Sequence, residues 1–336
     1  MKKIIIYFVI LVIISPAAKG GAIERDPSLT RPEVELIKSP LGDYLYFLLC
    51  RKPHRAVPDL DSLLGIREIP RMRVLIALPE IVTSYRIDNY SDIYRVIDSY
   101  YGGDSLSSLS KGKRISYSSV VPPAREIEEL VRKGEESWPD FMKYWKQYIE
   151  PLEDQQIEVW EKQLRENDVM GNYAELTKIH LKSSRLEIAA MAFHLSGSCN
   201  FNPHGIYTSL FTRPNLPWVI GHEGTHILLS EFEAGWMSDP RVAALEQKVA
   251  GAGYRIYDLE EAVCLFMQAA LARKCGTVPP DYYMHTRIQD EFMGSYIQNL
   301  EEGLDPYLKD DSMNIVDYMI TTAEKTLKGN KPCLSN

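Results

Sequence analysis

Trp218-Val219-Ile220-Gly221-His222-Glu223-Gly224-Thr225-His226-Ile227-Leu228 holds two histidines four residues apart, with a glutamate directly after the first: HExxH. On an α-helix, positions i and i+4 share one face, about 6 Å apart along the axis. Both imidazoles can therefore reach one zinc ion at about 2.0–2.1 Å. Glu223 sits beside such an ion rather than on it, where it can hold a zinc-bound water and take its proton. Zinc lowers the pKa of that water to about 7, which makes a nucleophile at neutral pH. The rest of the stretch is uncharged, as expected of a helix buried across a domain with the His-Glu-His face as its polar patch. Pro217 suits a first helical turn and Asn215 a cap before it. The competing explanation is an amphipathic helix with two incidental histidines. It leaves two His and a Glu in need of other buried partners, which is costly.

A catalytic zinc needs a third protein ligand and an open fourth position. A third histidine just after the helix is excluded. Leu229 and Phe232 stand where HExxHxxGxxH requires glycine and histidine. The next acidic candidates lie in Tyr257-Asp258-Leu259-Glu260-Glu261-Ala262-Val263-Cys264-Leu265, which opens a mostly apolar helix expected over 258–274. A carboxylate is out of place there without a partner. Asp258 followed by Glu261 also reads as close to a capping box, so a pure capping role competes with metal ligation.

Residues 196–275 resemble the gluzincins, the zinc metallopeptidases with HExxH on one helix and a ligating Glu on a later one. In that clan the ligating Glu is often followed by a small residue and then apolar ones. Glu261-Ala262-Val263-Cys264 fits that better than Glu260-Glu261-Ala262. The resemblance implies His222, His226 and Glu261 as ligands of Zn2+, Glu260 as the reserve donor, and Glu223 as general base. It implies a zincin-like catalytic domain with a short substrate-edge sheet, for which residues 206–211 are placed. It also implies a Tyr or His that stabilises the oxyanion; Tyr254, Tyr257, Tyr282, Tyr283 and His285 are available. The expected activity is zinc-dependent hydrolysis of a peptide or protein. A zinc-bearing binding or structural protein on a degenerate peptidase fold is the alternative, and the intact Glu223 argues against it. An aromatic-rich stretch, 138–160, offers a third possibility, glycan binding, if its rings are exposed.

The 336 residues carry 38 basic and 46 acidic side chains, a net charge of −8, with 45% apolar and 25% charged residues. That is ordinary globular composition for two domains or one large one. The acidity argues against nucleic acid or an anionic membrane surface as the main partner. Lys2 and Lys3 precede the apolar run IIIYFVILVII at residues 4–14, followed by Ser15-Pro16-Ala17-Ala18. This reads as a signal peptide over residues 1–20. The run is shorter than the roughly 20 residues of a spanning helix. The expected product is secreted or periplasmic, still more acidic, and without stable membrane insertion. Five cysteines show no CxxC spacing. Cys264 and Cys275, on one expected helix, are about 16 Å apart and cannot bridge.

The fold expected is α+β and mostly helical, with a helical region over 21–195 and the catalytic domain over 196–336. Residues 23–35 read as an extended, polar N-terminus, 33–50 as a mixed helical pattern broken at Pro40-Leu41-Gly42, and 71–77 as a short buried strand. Residues 92–101 read as helix and 102–119 as a loop. Residues 122–181 read as a long helical stretch broken near Pro139, Pro151 and Gly171. Residues 186–193 fit either strand or helix, and 196–217 fit loop with a short strand. Helices follow over 217–232, 240–250, 258–274, 287–301 and 313–328.

Overall fold

A computed structural model describes residues 32–50, 77–84, 86–102, 124–193, 205–210, 215–232 and 235–329. The expected signal peptide, the strand at 71–76 and most of the loop at 102–119 lie outside the described residues. So do Cys199, Cys333, His54, His194 and His204.

The architecture is α+β and mostly helical, around one small parallel sheet. Its strands are β1 (Glu33–Ile37), β2 (Arg185–Met191) and β3 (Gly205–Ser209), in the order β1-β2-β3. Leu36 lies opposite Ile188, which lies opposite Ile206. Parallel neighbours require a crossover, and the helices between β1 and β2 provide it. Such a sheet is covered on both faces. Leu186 to Met191 and all of β3 are buried accordingly.

Residues 33–37 are therefore strand, not the start of a helix. Pro40 does not break a helix here; it opens α1 (Pro40–Cys50). Proline costs nothing in a first turn, where its missing N–H would have had no partner. Ala77 likewise opens α2 (Ala77–Ser84) rather than ending a strand. Next come α3 (Asp92–Gly102), α4 (Ala124–Glu135), α5 (Trp138–Tyr144), a π-helical turn (Trp145–Ile149), α6 (Glu150–Glu166) and α7 (Val169–Thr177).

The breaks in this stretch fall at Glu136-Ser137 and at Asn167-Asp168, close to Pro139 and Gly171 as expected, and none falls at Pro151. Pro139 and Gly171 sit inside the first turns of α5 and α7. The helical path continues through Pro151, because the π turn sends the Glu150 N–H to the Trp145 carbonyl, widening the ladder just ahead of the proline. Phe141, Tyr144, Trp145 and Trp160 are buried, and Tyr44, Trp138 and Phe141 pack ring to ring at 4.6–5.9 Å. This is a core layer, not an exposed glycan platform; of these rings only Tyr148 is exposed.

The C-terminal helices are α8 (Leu216–Glu231), α9 (Pro240–Gly251), α10 (Ile256–Lys274), α11 (Glu291–Glu302), α12 (Leu304–Lys309) and α13 (Ile315–Gly329). They follow the expected spans closely. The exception is 287–290, which stays out of α11 because Asp290 caps it, accepting from the Met293 N–H at 2.9 Å. One apolar cluster runs from Ile37 and Ile188 in the sheet through Leu228 and Phe266 to Tyr296. Among the described residues no helix is long and apolar enough to cross a membrane.

Candidate metal centre

α8 carries the HExxH residues across this core, and all but a few of its side chains are buried. Asn215 caps it, accepting from the Trp218 N–H at 3.3 Å, and Pro217 lies in the first turn. The second element is α10, packed against α8. Their close approach depends on Gly221. A Cβ there would lie 2.7 Å from the Met267 carbonyl oxygen and 2.8 Å from Gln268 Cα.

α10 begins earlier than the sequence suggests, and this alters the reading of its acidic residues. Arg255, not Asp258, is the cap residue. Asp258 is the third helical residue and turns back to accept from the Arg255 N–H at 2.7 Å. Glu261 is not part of the cap. It lies one turn further on, facing α8. Its carboxylate stands 3.3 Å from His222 Nε2 and 3.4 Å from His226 Nε2. Among the described residues, His222, His226 and Glu261 form the group of donors close enough together to hold a metal ion.

The cluster suits two uses, a His–Glu ion-pair network and a metal site. Direct N–H···O hydrogen bonds have a mode near 2.9–3.0 Å. Donors at about 2.1 Å from a shared tetrahedral zinc are separated by about 3.4 Å. The observed 3.3 Å (His222 to Oε1) and 3.4 Å (His226 to Oε2) lie near the second spacing, each imidazole facing a different oxygen of Glu261, and one donor atom from each of the three residues lies within 4.8 Å of the others.

The surroundings of His226 set how it would face a metal ion. Its Nδ1 lies 2.8 Å from Glu260, whose other carboxylate oxygen accepts from Trp236 Nε1 at 2.9 Å. With the Nδ1 proton donated to Glu260, a neutral His226 turns the Nε2 lone pair toward Glu261. A lone pair and a carboxylate at that range need a cation between them. In its absence a proton fills the role. Burial works against a charged His226, but the Cys264 sulfur and the Glu260 and Glu261 carboxylates outweigh it and raise the imidazole pKa. Burial also opposes ionisation of Glu261. The two imidazoles outweigh it and hold that carboxyl far below the usual range. His222 Nδ1 is buried with no hydrogen-bond partner among the described residues.

Glu260 thus buttresses His226 and does not join the donor set, and Trp236 fixes Glu260 in turn. Sequence reasoning held Glu260 only as a reserve ligand and missed Trp236. A lone tryptophan in the short turn Trp236–Ser238 carries no motif. Cys264, expected as a small core residue, is fully buried as a free thiol and borders His226. Cys275 is also a free thiol. Glu223 is buried, next to His222 in the chain.

The residues available for an oxyanion differ in their commitments. Tyr254 donates to Asp290 and stacks on Phe292 at 4.5 Å. Tyr257 is half-buried near Glu260. Tyr282 meets Trp218 edge to face at 5.5 Å, and Tyr283 lies 5.9 Å from His285, which is bound to Glu301.

Comparison of the chain with protein-family models, with curated proteins and with solved structures found no match.

Proposed function

We propose that this chain is an exported zinc metallopeptidase of the gluzincin kind, with a zincin-like catalytic domain over residues 196–336. The observation that carries this reading is the convergence of His222, His226 and Glu261, whose donor atoms lie within 4.8 Å of one another and could hold one metal ion. His222, His226 and Glu261 would hold the ion, and Glu260 would keep His226 in the right tautomer. When bound, zinc supplies a Lewis acid that polarises a carbonyl and makes a water more acidic.

Glu223 takes the proton from the attacking water and passes it to the leaving amine. Buried surroundings favour that role, because they keep competing solvent away from the carboxylate. Among the described residues β3 is the outer strand of the sheet and precedes α8 in the chain, the order expected of a substrate-edge strand, although all five of its residues are buried.

The test is Glu223→Gln. The variant should keep about one zinc per chain and lose peptide hydrolysis by a factor of 100 or more, on the scale of general-base catalysis. Undiminished turnover would sink the mechanism. One zinc per chain in the native protein, with no turnover of any peptide library, would favour a zinc-bearing binding protein instead.

A further inference from the structure

α8 continues past the candidate metal centre toward its N-terminus, and the next residue on the His222 face is Trp218. One helical turn, about 6 Å along the axis, separates them. Trp218 is half-buried and meets Tyr282 edge to face at 5.5 Å. The Arg287 guanidinium lies over the Tyr282 ring at 5.4 Å. Beside them, Arg273 covers Tyr283 at 4.8 Å.

These two arginines differ from others in the chain. Arg86, Arg165, Arg185, Arg241 and Arg255 form ion pairs with carboxylates. Arg273 and Arg287 form none among the described residues. They stand near the end of the HExxH face as two cations without an ion-paired carboxylate, in a segment that also carries Asp281, Asp290 and Glu291. The nearby Glu301 is engaged by other donors. It accepts from the Met284 N–H at 2.6 Å and binds His285.

The segment that carries these groups is held in place. Glu301 anchors it to α11, Met284 is buried beneath it, and the Asn215 side chain ties Thr277 to the start of α8 at 3.3 Å. Arg287 is therefore presented on a fixed backbone, with its donor fork held over a ring and open to solvent. A planar guanidinium in that position suits a carboxylate, which it can bind through two parallel hydrogen bonds.

We propose that Trp218, Tyr282 and Arg287, seconded by Arg273, form a subsite that selects a carboxylate on the peptide held at the metal centre. This rests on the peptidase reading for the occupant of the neighbouring site. The aromatic pair takes the apolar part of the residue, and Arg287 takes its charge. Either the terminal carboxylate of a peptide or an Asp or Glu side chain supplies the same chemistry.

Calorimetric binding to the full, zinc-loaded chain carrying Glu223→Gln tests this without turnover. Three probes are compared: an alanine tetrapeptide with a free C-terminus, its C-terminal amide, and the amide with one Glu in place of Ala. At least one carboxylate-bearing peptide should bind about tenfold more tightly than the plain amide, as a charge-assisted pair allows. High salt should shrink the preference. Arg287→Gln should abolish it, Arg287→Lys should restore only part, and Arg95→Gln, the same charge change on a remote exposed helix, should leave it intact. Preference for the free terminus identifies a carboxypeptidase-like subsite, and preference for the Glu peptide a side-chain pocket. Equal or undetectable binding of all three, or a preference that survives Arg287→Gln, overturns the subsite. Selective binding by a native protein that hydrolyses no peptide would refute the peptidase reading and leave the subsite standing.

Discussion

At the residue scale, the pair Glu260 and Glu261 shows how adjacent identical side chains take different tasks. Successive helical positions point about 100° apart. Glu261 therefore faces His222 and His226 together, while Glu260 reaches around His226 to Nδ1 and Trp236. Zinc titration separates the roles. Glu261→Ala should abolish stoichiometric binding. Glu260→Gln should weaken it about 10–100-fold, the usual effect of losing a partner behind a ligating histidine. The reverse ranking would exchange the assignments. A dependence on pH follows as well. His226 without metal has a raised pKa, so a proton occupies the site to a higher pH than an ordinary histidine would allow. Zinc must displace that proton. Affinity should fall as pH drops through the neutral range, and binding near pH 7 should release protons measurable in weakly buffered solution. Cys264 lies outside the donor set, and burial pushes its thiol up to about 12.

At the element scale, the centre depends on how closely α8 and α10 approach. Gly221→Ala would press a methyl group into the Met267 and Gln268 backbone, which cannot rotate away as a side chain can. Overpacking of this kind costs roughly 1–3 kcal/mol. The expected result is a lower melting temperature together with weaker zinc binding, because the helices move apart and Glu261 withdraws from the histidines. Gly224→Ala is the control. Its Cβ would find no atom nearer than 3.6 Å, so it should leave both properties near those of the native chain. Much at this scale is legible in sequence. The Asn215 cap, Pro217 and the spans of α9 and α13 all fall where local propensity puts them. Misreadings cluster where a local signal has two meanings. Pro40 marks the start of α1 rather than a break within a helix, and Pro151 is absorbed by a π turn. Asp258 caps from the third position rather than from the cap itself.

At the scale of the whole molecule, a buried acidic pair joins parts of the chain far apart in sequence. Asp43 on α1 accepts from Trp145 Nε1 at 3.0 Å and from the Ala192 N–H at 2.8 Å, tying α1 to the π turn and to the end of β2. Glu153 of α6 is buried beside it. Burial raises both carboxyls above their ordinary pKa, and the Asp43 charge raises Glu153 further, against a smaller opposing pull from Lys38. A carboxyl raised in the folded state contributes its full stability below its unfolded pKa and loses it as pH rises toward the folded value. Stability from this pair should therefore decline from acid toward neutral pH. Glu153→Gln removes the ionisation, so the drop in melting temperature between pH 5 and pH 8 should shrink by a few degrees relative to the native chain. An unchanged slope would show that the pair does not titrate in that range.

Local pattern in the chain was enough to place the HExxH helix, its cap, the later acidic helix and the helical character of the molecule, because these follow from spacing, capping and periodicity within a few turns. Three things came only from the tertiary structure. Residues 33–37 become a strand because β2, about 150 positions later, pairs with them. Glu261 faces the histidines and Glu260 stands behind one of them because Gly221 sets how near the two helices lie. Trp218, Tyr282 and Arg287 adjoin because Glu301 pins their segment against α11. Each is a contact between residues distant in sequence, governed by how surfaces pack rather than by the preferences of either partner alone.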